Sequence, residues 1–498
     1  MAIRSLFANL KRTTTWRSLT SRASPVNSFT KPPITKDDDL GSIIFRLKFP
    51  RRNATAVIEK WVDSGHKLTT SELRSISRTL LKSKRYKHAL EILTWMEKQN
   101  CFRMSAADHA IRLELIIKVH GLTEAEEYFT CIPNSASQKA ASLPLLHGYV
   151  IERAVDKAET FMRKLSGLGL IVSCHPCNEI MKLYMATSQY NKVLLVIQQM
   201  KQNKIPRNVL SYNLWMNACA EISGVTSVEM VYKEMQNDIN VEVGWSSLST
   251  LANVYIKEGL INKALLVIKC AEKKLSTCNR LGYFFLMTLY TSLNNKKGVF
   301  GLWEASKAVG GRITCANYMC VISCLVKLGD LVEAKRILLE WESHCLNYDI
   351  RVSNILLGAY MRNGLIKEAE SLHLHTLERG GCPNYKTWEI LMEGWVKSGN
   401  MNKAIDAMKK GFAILRHCDW RPSEGILLAF AEYFENHGNL EDANQFIRAI
   451  HHLGFSILPL NKSLLRMHVT AQKPAVDILE MMEKDIIVMG DNTSASLY

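Results

Sequence analysis

Lys257, Lys327, Arg362 and Lys397 recur in register at a spacing of 35 residues, with Ser292 completing the series. A cationic stripe at such a period could track a phosphate backbone, giving salt-dependent affinity with no sequence content. The same residue types are also favoured near helix C-termini, where they offset the macrodipole of any helix. Side chains fit for bond-making chemistry are scarcer. No histidine is followed two residues later by Glu, and the single CxxC, Cys174 to Cys177 in "CHPC", has no second pair, so the zinc-deaminase pattern is missing. No P-loop, GxSxG or HExxH occurs either. His373 with His375 and His451 with His452 lack the i, i+4 spacing of a helical metal face and read as surface side chains. The expectation is a protein that binds without catalysing, with no metal and no cofactor.

The bulk numbers agree with a binding role. Over 498 residues the chain is 47% hydrophobic and 22% charged, and no apolar run is long enough to insert in a membrane. A formal charge of +16 points to a polyanionic partner. The first 36 residues hold seven Lys or Arg and no acid before Asp37, with Ser and Thr between, which is the composition of a transit peptide. Arg4, Lys11, Arg12, Arg17 and Arg22 alternate with Ile3, Leu6, Phe7, Leu10 and Trp16, an amphipathic pattern that favours the mitochondrion over the chloroplast. Subtracting the seven from +16 leaves +9 on the remainder. Thirteen cysteines, an odd number without framework spacing, argue against a disulfide scaffold. The four at 174, 177, 320 and 324 read as small buried hydrophobes.

The elements that must carry these residues follow from three rows in phase. Tyr255, Tyr290, Leu325, Tyr360 and Trp395 form a bulky row; Gly259, Asn294, Gly329, Gly364 and Gly399 form a turn row; Ala264, Val299, Ala334, Ala369 and Ala404 form a small one. Gly or Asn supplies a left-handed residue at a helix C-terminus, and the small residue lets a second helix approach the first. Apolar residues recur at i, i+3, i+4 and i+7 within each period, so one unit is two antiparallel amphipathic helices. A single such hairpin cannot bury its own face; stacked neighbours can. The fold expected is all-α, an α-solenoid of about 11 or 12 helix-turn-helix repeats forming a right-handed superhelix. The disordered basic leader is placed at 1–36, a helical cap at 37–69, the solenoid at 70–490 and a disordered tail at 491–498. Units begin at 70, 104, 139, 174, 209, 245, 280, 315, 350, 385, 424 and 458, with extra residues in those at 209 and 385.

"SNILLGAYMRNGLIKEAE", "TWEILMEGWVKSGNMNKAI", "YNLWMNACAE" and "CNEIMKLYMATSQYNKVLLVIQQMKQNKIPRN" resemble pentatricopeptide repeats of the pure, 35-residue kind found in plant organelles. The carrying features are the Tyr or Asn early in the first helix, the Y-x-[KR]-x-G turn and the late Pro206 and Pro383. The resemblance implies post-transcriptional action on single-stranded organellar RNA, one nucleotide per repeat, the base read by a unit's fifth and last residues. An Asn amide or Ser hydroxyl there can donate and accept at a base edge. On that analogy Asn178 with Asn208, and Asn354 with Asn384, resemble pyrimidine-reading pairs, and Ser249 with Asn279 an adenine-reading pair. Asn213 is a plausible first member, but Gly244 stands where its partner should be. Pairs such as Leu143 with Ser173 or Phe284 with Thr314 imply bases left unread. Those unread units fit the alternative of a structural solenoid attached to the mitochondrial ribosome.

Overall fold

The computed structural model describes residues 39–47, 53–99, 101–414, 424–437, 440–452 and 458–472. The basic segment 1–36, the stretch beyond 472 and the tail at 491–498 lie outside the described residues. Every regular element among the described residues is an α-helix, as the periodicity predicts. Two come first, α1 (Leu40–Phe45) and α2 (Ala54–Asp63), started by side-chain caps from Asp39 and Asn53. Helices then come in pairs: α3 (Thr70–Lys82) and α4 (Tyr86–Lys98); α5 (Ala106–Val119) and α6 (Leu122–Cys131); α7 (Ser135–Glu152) and α8 (Val155–Gly167); α9 (Cys174–Ala186) and α10 (Tyr190–Gln202); α11 (Val209–Ile222) and α12 (Val225–Asn237); α13 (Trp245–Lys257) and α14 (Ile261–Glu272). The series continues with α15 (Leu281–Ser292) and α16 (Lys296–Lys307); α17 (Cys315–Lys327) and α18 (Leu331–His344); α19 (Ile350–Arg362) and α20 (Ile366–Glu378); α21 (Tyr385–Lys397) and α22 (Met401–Ile414); α23 (Glu424–His437) and α24 (Leu440–His452); and finally α25 (Leu458–Thr470).

The chain divides into two compact units, the first ending at Leu275 and the second starting at Ser276. Within the first, α5, α7, α9, α11 and α13 pack in succession, and α8, α10 and α12 each pack on the first helix that follows. Within the second, α15, α17, α19 and α21 repeat that succession, with α16 and α18 against the helix that follows. Each hairpin thus buries its apolar face on its neighbour, as a solenoid requires. No helix of the described residues is long and apolar enough to cross a membrane.

The turn row has one physical cause. Gly259, Gly329, Gly364 and Gly399 have φ of +73°, +74°, +71° and +74°, and Asn294 has φ +52°. Around each the chain closes a Schellman motif: Leu260 N–H donates to Tyr255 C=O at 2.8 Å and Gly259 N–H to Ile256 C=O at 3.2 Å, and Leu365 and Gly364 repeat this on Tyr360 and Met361. The bulky row therefore stands at the residue whose carbonyl closes the turn. Lys84, Arg153 and Ser188 occupy the same place in earlier units with φ of 60°, 57° and 60°, although none of them is Gly or Asn. The small row, Ala264, Val299, Ala334, Ala369 and Ala404, is fully buried. Trp303 on α16 is also fully buried, edge-on to Tyr318 of α17 with ring centroids 5.3 Å apart and 6.4 Å from Phe284 of α15. The widest departure from the expected unit starts is at α7, which begins at Ser135, ahead of the expected 139, because Asn134 caps it there.

Candidate nucleic-acid interface

Asn178 is the fifth residue of α9, and Asn208 is the residue just before α11. Though thirty apart in sequence, their side chains meet: Asn178 Nδ2 donates to Asn208 Oδ1 at 3.1 Å. Ser211, third in α11, joins them. Its backbone N–H donates to Asn208 Oδ1 at 3.0 Å, its Oγ accepts from Asn208 N–H at 3.2 Å, and its hydroxyl donates to Asn178 Oδ1 at 2.8 Å. The result is a closed ring built on the capping box of α11. The second unit repeats it. Asn354 Nδ2 donates to Asn384 Oδ1 at 3.3 Å, Thr387 N–H donates to Asn384 Oδ1 at 3.0 Å, and Thr387 Oγ1 donates to Asn354 Oδ1 at 3.0 Å. Asn178 and Asn354 are buried, while Asn208 and Asn384 are half-exposed. Each ring uses the amide oxygens and one amide proton, so what it leaves for a ligand is mainly N–H.

The other expected reading positions are not closed in this way. Asn213, fifth in α11, has a buried Oδ1 without a hydrogen-bond partner, and so has the hydroxyl of Ser247, third in α13. Gly244 stands before α13 where Asn208 and Asn384 stand before theirs, and it brings no side chain. Ser249 is fully buried and donates its hydroxyl to Trp245 C=O at 2.7 Å. Asn279 is exposed and accepts from Leu281 N–H at 2.8 Å.

Lys257, Lys327, Arg362 and Lys397 are each the last residue of a first helix, all exposed, at the negative end of its macrodipole. Lys257 pairs with Glu221 of the preceding first helix at 2.6 Å. The other three make no ion pair among the described residues.

Two sets of residues escaped sequence reasoning. Ser211 and Thr387 could have been found, since "NVLS" and "NYKT" both carry a capping-box spacing after the last residue of a unit. The second set is a carboxylate clasp between neighbouring repeats. Glu159 of α8 accepts from Tyr184 OH of α9 at 3.1 Å and Lys192 Nζ of α10 at 2.7 Å. Glu229 accepts likewise from Tyr255 and Lys263, at 2.8 and 2.9 Å, and Glu370 from Trp395 Nε1 and Lys403, at 3.0 and 2.7 Å. The bulky row thus holds as well as fills. In each case the lysine, and next the aromatic donor, hold the carboxyl below its ordinary range. Burial, and then the adjoining carboxylate, push the Tyr184 and Tyr255 hydroxyls well above theirs. A lowered folded pKa gives stability that is present above the ordinary carboxylate value and disappears as pH falls through the folded one. Thermal unfolding followed from neutral pH downward should therefore show the triple variant E159Q/E229Q/E370Q less stable than the parent at neutral pH. The two should converge as the pH falls through the lowered folded-state values, below the ordinary carboxylate range.

The cysteines and histidines divide. Cys174 and Cys177 are buried, and burial raises both thiols, that of Cys177 to about 11. His373 is half-buried, not the surface side chain expected, whereas His375, with 39% of its side chain exposed, stays at the surface as expected. His373 lies edge-on to Trp388, ring centroids 5.5 Å apart, and His375 Nε2 is 2.8 Å from the buried Glu342 carboxylate. The side chains of His451 and His452 lie outside the described residues.

The chain itself is similar to known proteins. A family described as "Pentatricopeptide repeat domain" matches residues 161–221, and one described as "PPR repeat" matches 317–346 and 352–380. A pentatricopeptide repeat-containing protein of Arabidopsis thaliana is 59% identical over 446 residues, 89% of this chain and 91% of its own. Another from Arabidopsis thaliana, named as mitochondrial, is 30% identical over 426 residues, 85% of this chain and 86% of its own. Among solved structures, the crystal structure of the maize pentatricopeptide repeat protein PPR10 superposes with a TM-score of 0.51 at 14% identity. It covers 82% of this chain and 62% of the maize one, so this chain spans under two thirds of that protein.

Proposed function

Since the chain belongs to the pentatricopeptide repeat family, we propose that it binds single-stranded RNA along its first helices, one nucleotide to a repeat, in organellar post-transcriptional RNA metabolism. The observation that carries this reading is the pair of amide rings. They bring Asn178 to Asn208 and Asn354 to Asn384 across repeat junctions and leave amide protons for a base edge. The exposed Lys327, Arg362 and Lys397 supply the electrostatic part of the affinity. The basic segment 1–36 and the relative named as mitochondrial support the mitochondrion as its compartment.

Incubation of the purified chain with pools of single-stranded RNA, duplex RNA and single-stranded DNA tests the first part. Preference for single-stranded RNA is expected, and equal or absent binding to all three overturns it. A fluorescent fusion of the N-terminal segment reports the compartment. A second reading, a solenoid serving as a part of the mitochondrial ribosome, draws support from positions such as Phe284 and Met319, which carry no base-reading side chain. Gradient sedimentation after a high-salt wash separates the two. Comigration with a ribosomal subunit favours the second reading, and recovery in light fractions the first.

A further inference from the structure

The two amide rings share a member outside the reading pair. We infer that the hydroxyl on the third residue of a first helix, Ser211 or Thr387, is a positioning residue that sets the preceding repeat's amide, Asn178 or Asn354, as a hydrogen-bond donor towards the ligand. The inference rests on the RNA-binding reading above and gives a physical origin for the pyrimidine preference that the family resemblance implies at those junctions.

The orientation follows from proton bookkeeping. Ser211 N–H can only donate, so the atom of Asn208 that it meets at 3.0 Å is the oxygen. That oxygen also takes a proton from Asn178 Nδ2. Asn178 must then turn its own oxygen to Ser211, whose Oγ lies 2.8 Å from it and 3.1 Å from Asn208 Oδ1. The hydroxyl has one proton, and the shorter contact takes it. Each bond fixes the sense of the next. Unused in the ring are one amide proton of Asn178 and both of Asn208, three donors against one remaining lone pair on Asn178 Oδ1. Thr387, Asn384 and Asn354 give the same count. A pyrimidine offers two acceptors on its Watson–Crick edge, whereas adenine and guanine offer one each, so a donor-rich pair selects a pyrimidine.

The chain contains its own control. At Asn213 the hydroxyl is present, as Ser247, but Gly244 breaks the ring, and both Asn213 Oδ1 and Ser247 Oγ are left buried without a partner. No sense is imposed on that amide, so that junction selects no base. The backbone of Gly244 is extended, φ −102° and ψ −176°, and a Cβ there meets nothing within 4 Å, so an Asn side chain fits.

Selection of a randomised single-stranded RNA pool by the full chain, read by sequencing, tests the inference. The parent should enrich a pyrimidine at two nucleotide positions. S211A should lose one and T387V the other, each keeping the second, while T387S keeps both. G244N should gain a third selected position. Retention of both preferences in S211A and T387V, or failure of G244N to add one, overturns the positioning role while RNA binding stands. Absence of any RNA recovery with the parent chain overturns the RNA-binding reading and this inference with it. Because G244N adds a side chain into open space, the outcome does not depend on whether the two ring-opening variants fold.

Discussion

In the triple variant K327E/R362E/K397E, affinity for single-stranded RNA should fall on the order of 100-fold at low salt, and the slope of log affinity against log salt should flatten by about 2. The slope is the diagnostic part. Each phosphate contact on a single strand releases roughly 0.7 of a counterion, so three lost contacts remove about 2 from its magnitude. The position of these residues makes the alternative equally concrete. All three end a first helix, where a cation stabilises the C-terminal carbonyls whatever else it does. If that is their whole role, the variant loses thermal stability and the salt slope stays as in the parent. Lys257 serves as an internal comparison: its ammonium already pairs with Glu221, so K257Q should flatten the slope less than any one of the other three does.

Replacing Trp303 by Ala should destabilise the second unit by about 3–5 kcal/mol, measured by urea unfolding. The indole is fully buried and joins three helices, its own α16, α15 through Phe284 and α17 through Tyr318, so its loss opens a hole at the contact between consecutive repeats. In a stacked array each repeat is supported by its immediate neighbours, and the weakening stays local. Hydrogen exchange should therefore accelerate in α15 to α18 and stay unchanged around Asn178. Trp303→Phe should cost much less, since the indole N–H it deletes is buried without a hydrogen-bond partner. An equal loss in both variants would mean that the ring's full width, and not its apolar contact alone, holds the junction.

Legibility in the sequence depended on how local each feature is. The left-handed turn at Gly259, Gly329, Gly364 and Gly399 was readable because few residues tolerate φ near +70°, and the requirement sits in one residue. Arg153 and Ser188 show the limit of that signal, for they adopt the same conformation without the residue type that announces it. The contact between Asn178 and Asn208 was reachable through the period and the family resemblance, but the ring was not, because its third member lies in the next repeat. For the same reason the row from Tyr255 to Trp395 read as filling alone. Its hydroxyl and indole donors find Glu229 and Glu370 in the preceding repeat, and other members of the row, such as Leu325, carry no donor. The half-burial of His373 escapes notice on equal grounds, since the ring it meets, Trp388, belongs to the next repeat.

If RNA binds as proposed, the closed rings also bear on how fast and how faithfully a base is met. A free asparagine side chain must be frozen when it binds, at a cost of up to about 0.5–1.5 kcal/mol for the side chain. Asn178 and Asn354 have lost that freedom during folding, held by Ser211 and Thr387, so association needs no further ordering of them. Rigidity of this kind favours the fitting base twice over. On the proposed RNA-binding reading, the amide waits in the right sense for a base that presents acceptors and does not swivel to offer its oxygen to one that does not.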